Sequence, residues 1–280
     1  MPTYSGAVRA DQAGAWLPED FGGLLSLEVQ SKSIVSQLST VFGTDKTKVN
    51  FPIWNGGVTT AFFSELDEIT PSNGDTDEVV IEPKKAAGLH LSSSELFDDA
   101  DPDIAHQIGQ AIANQIAHSF DAAFTANTTS KGYSGLLSKS YTSVDAGGAT
   151  LTNLDKFVAA RFAAEAHGAK LSHWLLDPTV AEALSNLKKL SSGSNEALLQ
   201  FVEDGITIAG LPVITSTHVD SGTLAWGIDK TQRRFVIRND TKVERFPSVT
   251  NDGQWVRGIM RAAWDTLNPA GLVRIWDATP

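Results

Sequence analysis

The sequence predicts a mixed helix and strand fold, of α/β or α+β class, with an extended hairpin beside one long helix. Three observations carry this. Ile104, Ile108, Ile112, Ile116, Phe120 and Phe124 recur every four residues after Asp101-Pro102-Asp103, an N-cap followed by proline at the first helical position. Two alternating stretches, 48–54 and 79–91, flank a Pro-Ser-Asn-Gly turn at 71–74. From about 151 to 240, helical and strand patterns alternate.

The elements follow in order. Residues 1–20 show neither period and read as an extended arm. From Phe21 to Phe42 the apolar positions Leu24, Leu25, Leu27, Val29, Ile34, Val35, Leu38 and Val41 predict a short helix, a break at Ser31–Ser33, and a second helical stretch. KVNFPIW (48–54) alternates as a strand, and Asn55-Gly56-Gly57 supplies a turn. The whole of 46–95 reads as one long hairpin-like excursion. A lone two-stranded hairpin is marginal in water, so this one is expected to lean on something else. In the long helix a strict spacing of four drifts by about 40° per step, winding the apolar stripe around the axis so that its two ends meet different partners. Ala111, Ala113, Ala117, Ala122 and Ala123 fill the flanks. Lys131–Leu137 reads as a turn into a short strand, and the Ser, Gly and Thr-rich 139–150 as a link with a boundary near 150. Beyond it come a helix near 152–167, a strand at 171–176, a helix capped by Asp177-Pro178 and running to about Leu190, and a polar loop at 191–195. Strands are expected at 206–208, 212–215, 223–228 and 234–237, then an extended 255–276 interrupted at Asn268-Pro269.

Composition narrows the function. The chain has 280 residues, 41% apolar and 20% charged, ordinary for a folded protein. It has no cysteine, which removes disulfides, thiolate metal sites and cysteine nucleophiles. A formal net charge of −11 works against a dedicated DNA reader, because such proteins carry a basic face. The basic residues Arg233, Arg234, Arg238, Lys242 and Arg245 alternate with Phe235, Val236, Ile237, Val243 and Phe246, the pattern of a solvated strand face. Apolar runs fall short of the roughly 20 residues of a membrane helix, and the start MPTYSGAVRADQAG lacks a secretory leader.

Each chemical motif fails on its own terms. Glu65, Asp67, Glu68, Asp75, Asp77 and Glu78 surround the hairpin turn, yet the D-x-[DN]-x-[DN]-G calcium pattern is not met and no rigid element fixes a catalytic pair. Histidines 90, 106, 118, 167, 173 and 218 include no H-E-x-x-H. Gly132-Tyr133-Ser134-Gly135 approximates a G-x-S-x-G elbow, but Leu136 stands where the last glycine belongs. There is no GxxxxGK[ST] and no GxGxxG. The expectation is therefore no catalytic, cofactor or metal residue. An arm, an unsupported acidic hairpin and a rotating stripe instead describe a subunit that buries apolar surface against copies of itself.

The ordered set LPEDFGGLLSLEVQSKSIVSQL (17–38), FPIWNGGVTTAFFSELDEI (51–69), VIEPKKAAGLHLSSSELFDD (80–99), the helix from Asp103, KGYSGLL (131–137), LLDPTVAEAL (175–184), GLPVITS (210–216) and RAAWDTLNPAGLVRI (261–275) resembles the major capsid proteins of tailed bacteriophages with the Hong Kong 97 fold. The resemblance implies an α+β fold with an N-terminal arm (1–45), an E-loop (46–95), a spine helix with the first part of a peripheral P domain (96–150), an axial A domain (151–240) and C-terminal P-domain strands (241–280). It implies a virion shell protein that is not an enzyme, made in the host cytoplasm. The expected partners are copies of itself in pentamers and hexamers, a portal, a separate scaffold, a decoration protein and packaged double-stranded DNA held without specific binding. An encapsulin-type compartment shares the fold and is the alternative. Some members join an E-loop lysine to an asparagine with the help of a glutamate. Here Gly258, Ile259 and Met260 fall where that acid would stand, with Lys84 or Lys85 as the amine and Asn251 or Asp252 near the acceptor position.

Overall fold

The computed structural model describes residues 29–56, 60–65, 68–69, 71, 74–95, 104–148, 150–189, 196–202, 205–248, 250 and 252–278. The expected arm over 1–20, the Asp101–Asp103 cap and the 191–195 loop lie outside them. Within them the content is mixed α+β, in three sheets of four, seven and two strands.

The chain enters through a helical turn at 29–32 and, after the break at Ser33, α1 (Ile34–Gln37). The helical stretch expected through Val41 is instead β1 (Thr40–Thr44), which pairs in parallel with the first part of β11 (Arg233–Pro247) from Thr40↔Arg234 to Thr44↔Arg238. Thr40, Val41 and Thr44 are β-branched and favour a pleated surface once a partner strand is present.

The two-stranded sheet is the hairpin of β2 (Val49–Gly56) and β3 (Asp75–Ile81), registered from Val49↔Ile81 to Gly56↔Asp75. The excursion is shorter than the expected 46–95. After Glu82-Pro83, β4 (Lys84–Ser93) departs and pairs antiparallel with β12 (Gly253–Thr266), from Lys84↔Ala262 to Ser93↔Gly253. Proline has no N–H with which to continue the hairpin ladder.

The long helix α2 (Ile104–Thr125) packs on β4 and β12 of the four-stranded sheet β1-β11-β12-β4. Ile112, Ala113, Ile116, Ala117, Phe120 and Phe124 are buried, each large apolar side chain contributing about 1.5–3 kcal/mol. The two ends do meet different partners. A Cβ on Gly88 of β4 would sit 3.0 Å from Ile112, so glycine allows close approach there. Farther along, Phe120 lies edge-on to Tyr133, Phe235 and Trp264, at centroid distances of 6.1, 6.2 and 6.1 Å. The short strand expected at 131–137 is only an isolated bridge, Thr128↔Ser134, followed by a 3-10 turn at Leu136–Ser138.

The seven-stranded sheet has the order β5-β13-β10-β6-β9-β8-β7, with β5 Thr142–Asp145, β6 His173–Leu176, β7 Gln200–Val202, β8 Gly205–Ile208, β9 Leu211–Thr215, β10 Thr223–Ile228 and β13 Leu272–Trp276. Helices α3 (Asp155–Glu165) and α4 (Pro178–Ser185) supply Phe157, Ala160, Ala164 and Leu184 to its core around Trp174, whose Nε1 donates to the Ile208 carbonyl at 2.9 Å. Asp177 caps α4 by accepting from the Thr179 N–H at 2.8 Å, as expected, but the helix stops at Ser185, short of Leu190. The 139–150 link holds a strand, β5, paired in parallel with β13. The extended C-terminal stretch divides at Asn268-Pro269: β12 belongs to the four-stranded sheet and β13 to the seven-stranded one.

Candidate assembly surfaces

The acidic hairpin exposes Glu65, Glu68, Asp75, Asp77 and Glu78; Asp67 lies outside the described residues. The Asp77 carboxylate accepts from the Glu78 N–H at 2.8 Å and Glu78 accepts from Asn50 Nδ2 at 3.0 Å, so these acids are held by the hairpin itself. Among the described residues no three His, Asp or Glu side chains converge on a point where a cation would sit. One face of the hairpin is used: Val49, Phe51 and Val79 pack against the helix and sheet core, Phe51 meets Phe42 at 5.6 Å, and the Arg234 guanidinium lies 5.9 Å over the Phe51 ring. The other face and the tip are open, with Trp54 60% exposed and Phe62, Phe63, Ile69 and Val80 also exposed. Among the described residues both strands are hydrogen-bonded on one side only, which leaves two edges for another chain.

The basic residues of β11 correct the expectation of a uniformly solvated face. Arg233 is fully buried; its guanidinium stacks 4.7 Å over the Phe124 ring, and burial pushes its pKa down to about 10 against the opposing pull of Asp265. A planar, weakly hydrated guanidinium tolerates this where an ammonium does not. Arg238 and Lys242 lie on the sheet surface away from α2, with Lys242 Nζ 2.6 Å from Glu244 and Arg257 of β12 bonded to the same carboxylate. Those hydrogen bonds, from Lys242 first and Arg257 second, hold the Glu244 carboxyl below its usual range.

The GYSG motif is a packing device. A Cβ on Gly135 would fall 2.1 Å from the Ala126 carbonyl oxygen and 2.4 Å from that of Ala123, so only glycine lets this strand of chain lie against the end of α2. Its N–H donates to the Asn127 carbonyl at 2.7 Å. The Ser134 carbonyl accepts from Trp264 Nε1 at 3.1 Å, and the Tyr133 hydroxyl donates to the Lys84 carbonyl, with burial raising the tyrosine's pKa. Lys84 Nζ donates to the Gly132 carbonyl. Lys84 and Lys85 therefore stand at the start of a body strand, opposite Ala262 and Arg261 of their own chain.

Of the histidines, His90, His118 and His167 are exposed, and His173 is half-buried beside Ser172 Oγ at 2.8 Å, its pKa lowered by burial and by Lys230. The fold brings His118 and His218 edge to face at 5.9 Å, a pairing the sequence spacing does not reveal. Also unanticipated is Asp121, buried on α2. Its Oδ1 accepts from Ser33 Oγ at 2.7 Å, Ile34 N at 2.9 Å and Val35 N at 3.4 Å. Two turns earlier Asn114 accepts from Lys32 Nζ at 2.6 Å, so one side of α2 fastens the segment 29–37 at two points. Its one sequence signal is a lone carboxylate flanked by Phe120, Ala122 and Ala123.

A family model described as the phage capsid family matches residues 13–276. Among solved structures, the capsid of an empty GTA particle is similar at a TM-score of 0.74 and 17% identity, covering 89% of this chain and 90% of that one. A Microbacterium phage Oxtober96 chain matches at a TM-score of 0.70 and 14% identity, over 88% and 91% of the two chains. A Gordonia phage Cozz chain matches at 0.67 and 19% identity, over 89% and 87%. No curated protein matches the sequence.

Proposed function

We propose a mode of assembly from one premise: the chain belongs to the phage capsid family and is a major capsid protein of the tailed-phage type, part of a virion shell. In this reading the fold is of the Hong Kong 97 type. Residues 1–45 are the N-terminal arm, and 46–95 supply the E-loop through β2–β3 and then one P-domain strand, β4. Residues 96–150 hold the spine helix α2 and the first part of the P domain. Residues 151–240 build most of the A domain, and 241–280 return to the P domain through β12 before β13 closes the A-domain sheet. The subunits form pentamers and hexamers that close an icosahedral shell around double-stranded DNA, with a portal, a separate scaffold and a decoration protein as further partners, in the host cytoplasm.

The observation that carries this is the hairpin. It is fastened on one face at its base and, among the described residues, leaves Trp54, Val80 and two strand edges to solvent. A two-stranded ribbon in that state gains stability by lying on a neighbouring subunit. The acidic balance suits a container whose DNA is driven in by a motor and needs no tight hold on the wall. The test is electron microscopy of purified particles with measurement of their nucleic acid. Closed shells containing DNA are expected. Shells filled with an enzyme and free of DNA identify the encapsulin alternative, and absence of shells refutes both.

A further inference from the structure

We propose that Arg233, Ser39 and Thr266 form a buried site for a small monovalent anion of chloride size, at the point where the chain passes between the seven-stranded and four-stranded sheets. The inference goes beyond the capsid reading and stands on the fold alone.

Register brings the three residues together. Arg233 opens β11 and is directly opposed to Thr266, the last residue of β12, so the two share a face. Ser39 comes one residue before Thr40, whose partner in the parallel pairing is Arg234, and so it flanks Arg233 on the other side. With neighbouring strands about 4.8 Å apart, one guanidinium has a hydroxyl-bearing side chain on either flank. All three residues are buried, and among the described residues Ser39 Oγ, Thr266 Oγ1 and the Arg233 nitrogens Nε, Nη1 and Nη2 have no hydrogen-bond partner in the protein. Native interiors pair nearly all such groups, and here every nitrogen of one guanidinium is unpaired beside two unpaired hydroxyls.

Their chemistry selects the ligand. A guanidinium has N–H donors and no acceptor, and each hydroxyl adds one donor, so donors surround a positive charge. The protein supplies no full counter-charge on this face. Asp265 is the neighbour of Thr266, so its side chain leaves β12 on the opposite face, where Lys139 Nζ lies 2.8 Å away. Burial lowers the Arg233 pKa to about 10, and the pull of Asp265 offsets this only in part, so the guanidinium is charged at neutral pH. The C-terminal end of α2 adds partial negative charge, with Phe124 4.7 Å from the guanidinium, but none of its carbonyls accepts a hydrogen bond from Arg233. Water would pair the donors and leave the charge unanswered in apolar surroundings, whereas a halide does both. A phosphate fits less well, because the fully buried Phe124 and Phe235 on this face offer hydrocarbon and no donors to its further oxygens. Next to the site the Leu267 N–H donates to the Gln232 carbonyl at 2.7 Å. The ion would therefore tie the strand entering the four-stranded sheet to the one leaving it.

The test is urea unfolding of the purified full chain with sodium chloride exchanged for sodium gluconate at constant ionic strength, gluconate being too large to enter a closed core. One ion bound only by the folded state makes the unfolding equilibrium constant fall about tenfold for each tenfold rise in chloride above its dissociation constant, and a slope approaching this is expected between about 1 and 300 mM. Arg233→Met keeps the length and removes the charge, and should abolish the slope. Thr266→Val keeps the shape and removes one donor, and should move the onset of the slope to about tenfold higher chloride. A wild-type slope near zero, or one that persists in Arg233→Met, overturns the proposal. Where Arg233→Met does not fold, Thr266→Val decides, and an unmoved onset overturns it. A second measurement needs no variant. Crystals of the chain grown in bromide should show an anomalous scattering peak beside the Arg233 guanidinium, and density without that signal assigns the site to water and refutes the anion.

Discussion

Replacing Asp121 by asparagine and by alanine separates the role of its oxygen from that of its charge. Oδ1 accepts all three donors from Ser33, Ile34 and Val35, and asparagine offers an oxygen in the same place. Burial raises the carboxyl's pKa above its ordinary 3.8, outweighing the hydrogen bonds from Ser33, Val35 and Ile34 and the attraction of His218. The charge is thus a cost that asparagine removes, and Asp121→Asn should remain within about 1 kcal/mol of wild type. Alanine leaves a buried hydroxyl and two N–H groups without their acceptor. At about 1–3 kcal/mol for an unsatisfied buried group, and with Ser33 Oγ still available to Val35 N, the loss should be about 3 kcal/mol. The sign of the pH dependence follows from the raised value: the folded state holds this proton more tightly than the unfolded state. The contribution of Asp121 is therefore most favourable below 3.8 and declines as pH rises from there through the raised folded pKa. Urea unfolding of the purified protein from pH 4 to 7, with hydrogen exchange of residues 29–37, measures both effects. Asparagine as damaging as alanine, or wild type gaining on asparagine as pH rises through that window, would refute the reasoning.

Ile116→Ala should cost about 2–5 kcal/mol and lower shell yield, whereas Gln110→Ala, on the exposed side of the same helix, should stay within about 0.5 kcal/mol; equal damage in thermal unfolding would show that α2 is packed otherwise. Gly135→Ala should destabilise by about 3 kcal/mol or more, because the atoms its Cβ meets are backbone carbonyls that cannot swing away; a soluble variant with unchanged melting would refute this packing. Shells should also be free of covalent links between subunits: the hairpin segment 49–83 has no lysine, Lys84 and Lys85 are committed to β4, and Met260 and Ile259 are buried beside Ala86 and Ala87 where an acid would be needed. A lysine amine is almost wholly protonated at neutral pH without such a base, so boiled particles should run as one band near 29.9 kDa, and a ladder of larger bands would overturn the expectation.

What could be read from the chain and what could not divide along the range of the interactions involved. α2 was legible because its stripe is written at a fixed local spacing, and Asp177-Pro178 because a cap and its helix are adjacent. The open hairpin was legible for the opposite reason: its alternating strands have no local means of covering both faces. Partner choice was not legible. Thr40 accepts a place beside Arg234 and its hydroxyl donates to the Lys230 carbonyl, 190 residues away, and nothing near Thr40 announces it. The same holds for β4 leaving the hairpin for β12 and for β13 crossing to β5. The burial of Arg233 is not written in its alternating pattern, which reports only that a strand has two faces, not which face is buried. Asp121 has no local signature because its donors lie 86 to 88 residues earlier. These non-local contacts fasten the hairpin's base and the 29–37 segment to the body, so they decide which surfaces remain for a second copy. In a chain whose function is assembly, the informative residues are therefore those whose local pattern is unsatisfied, and the fold's register shows which of them stay so.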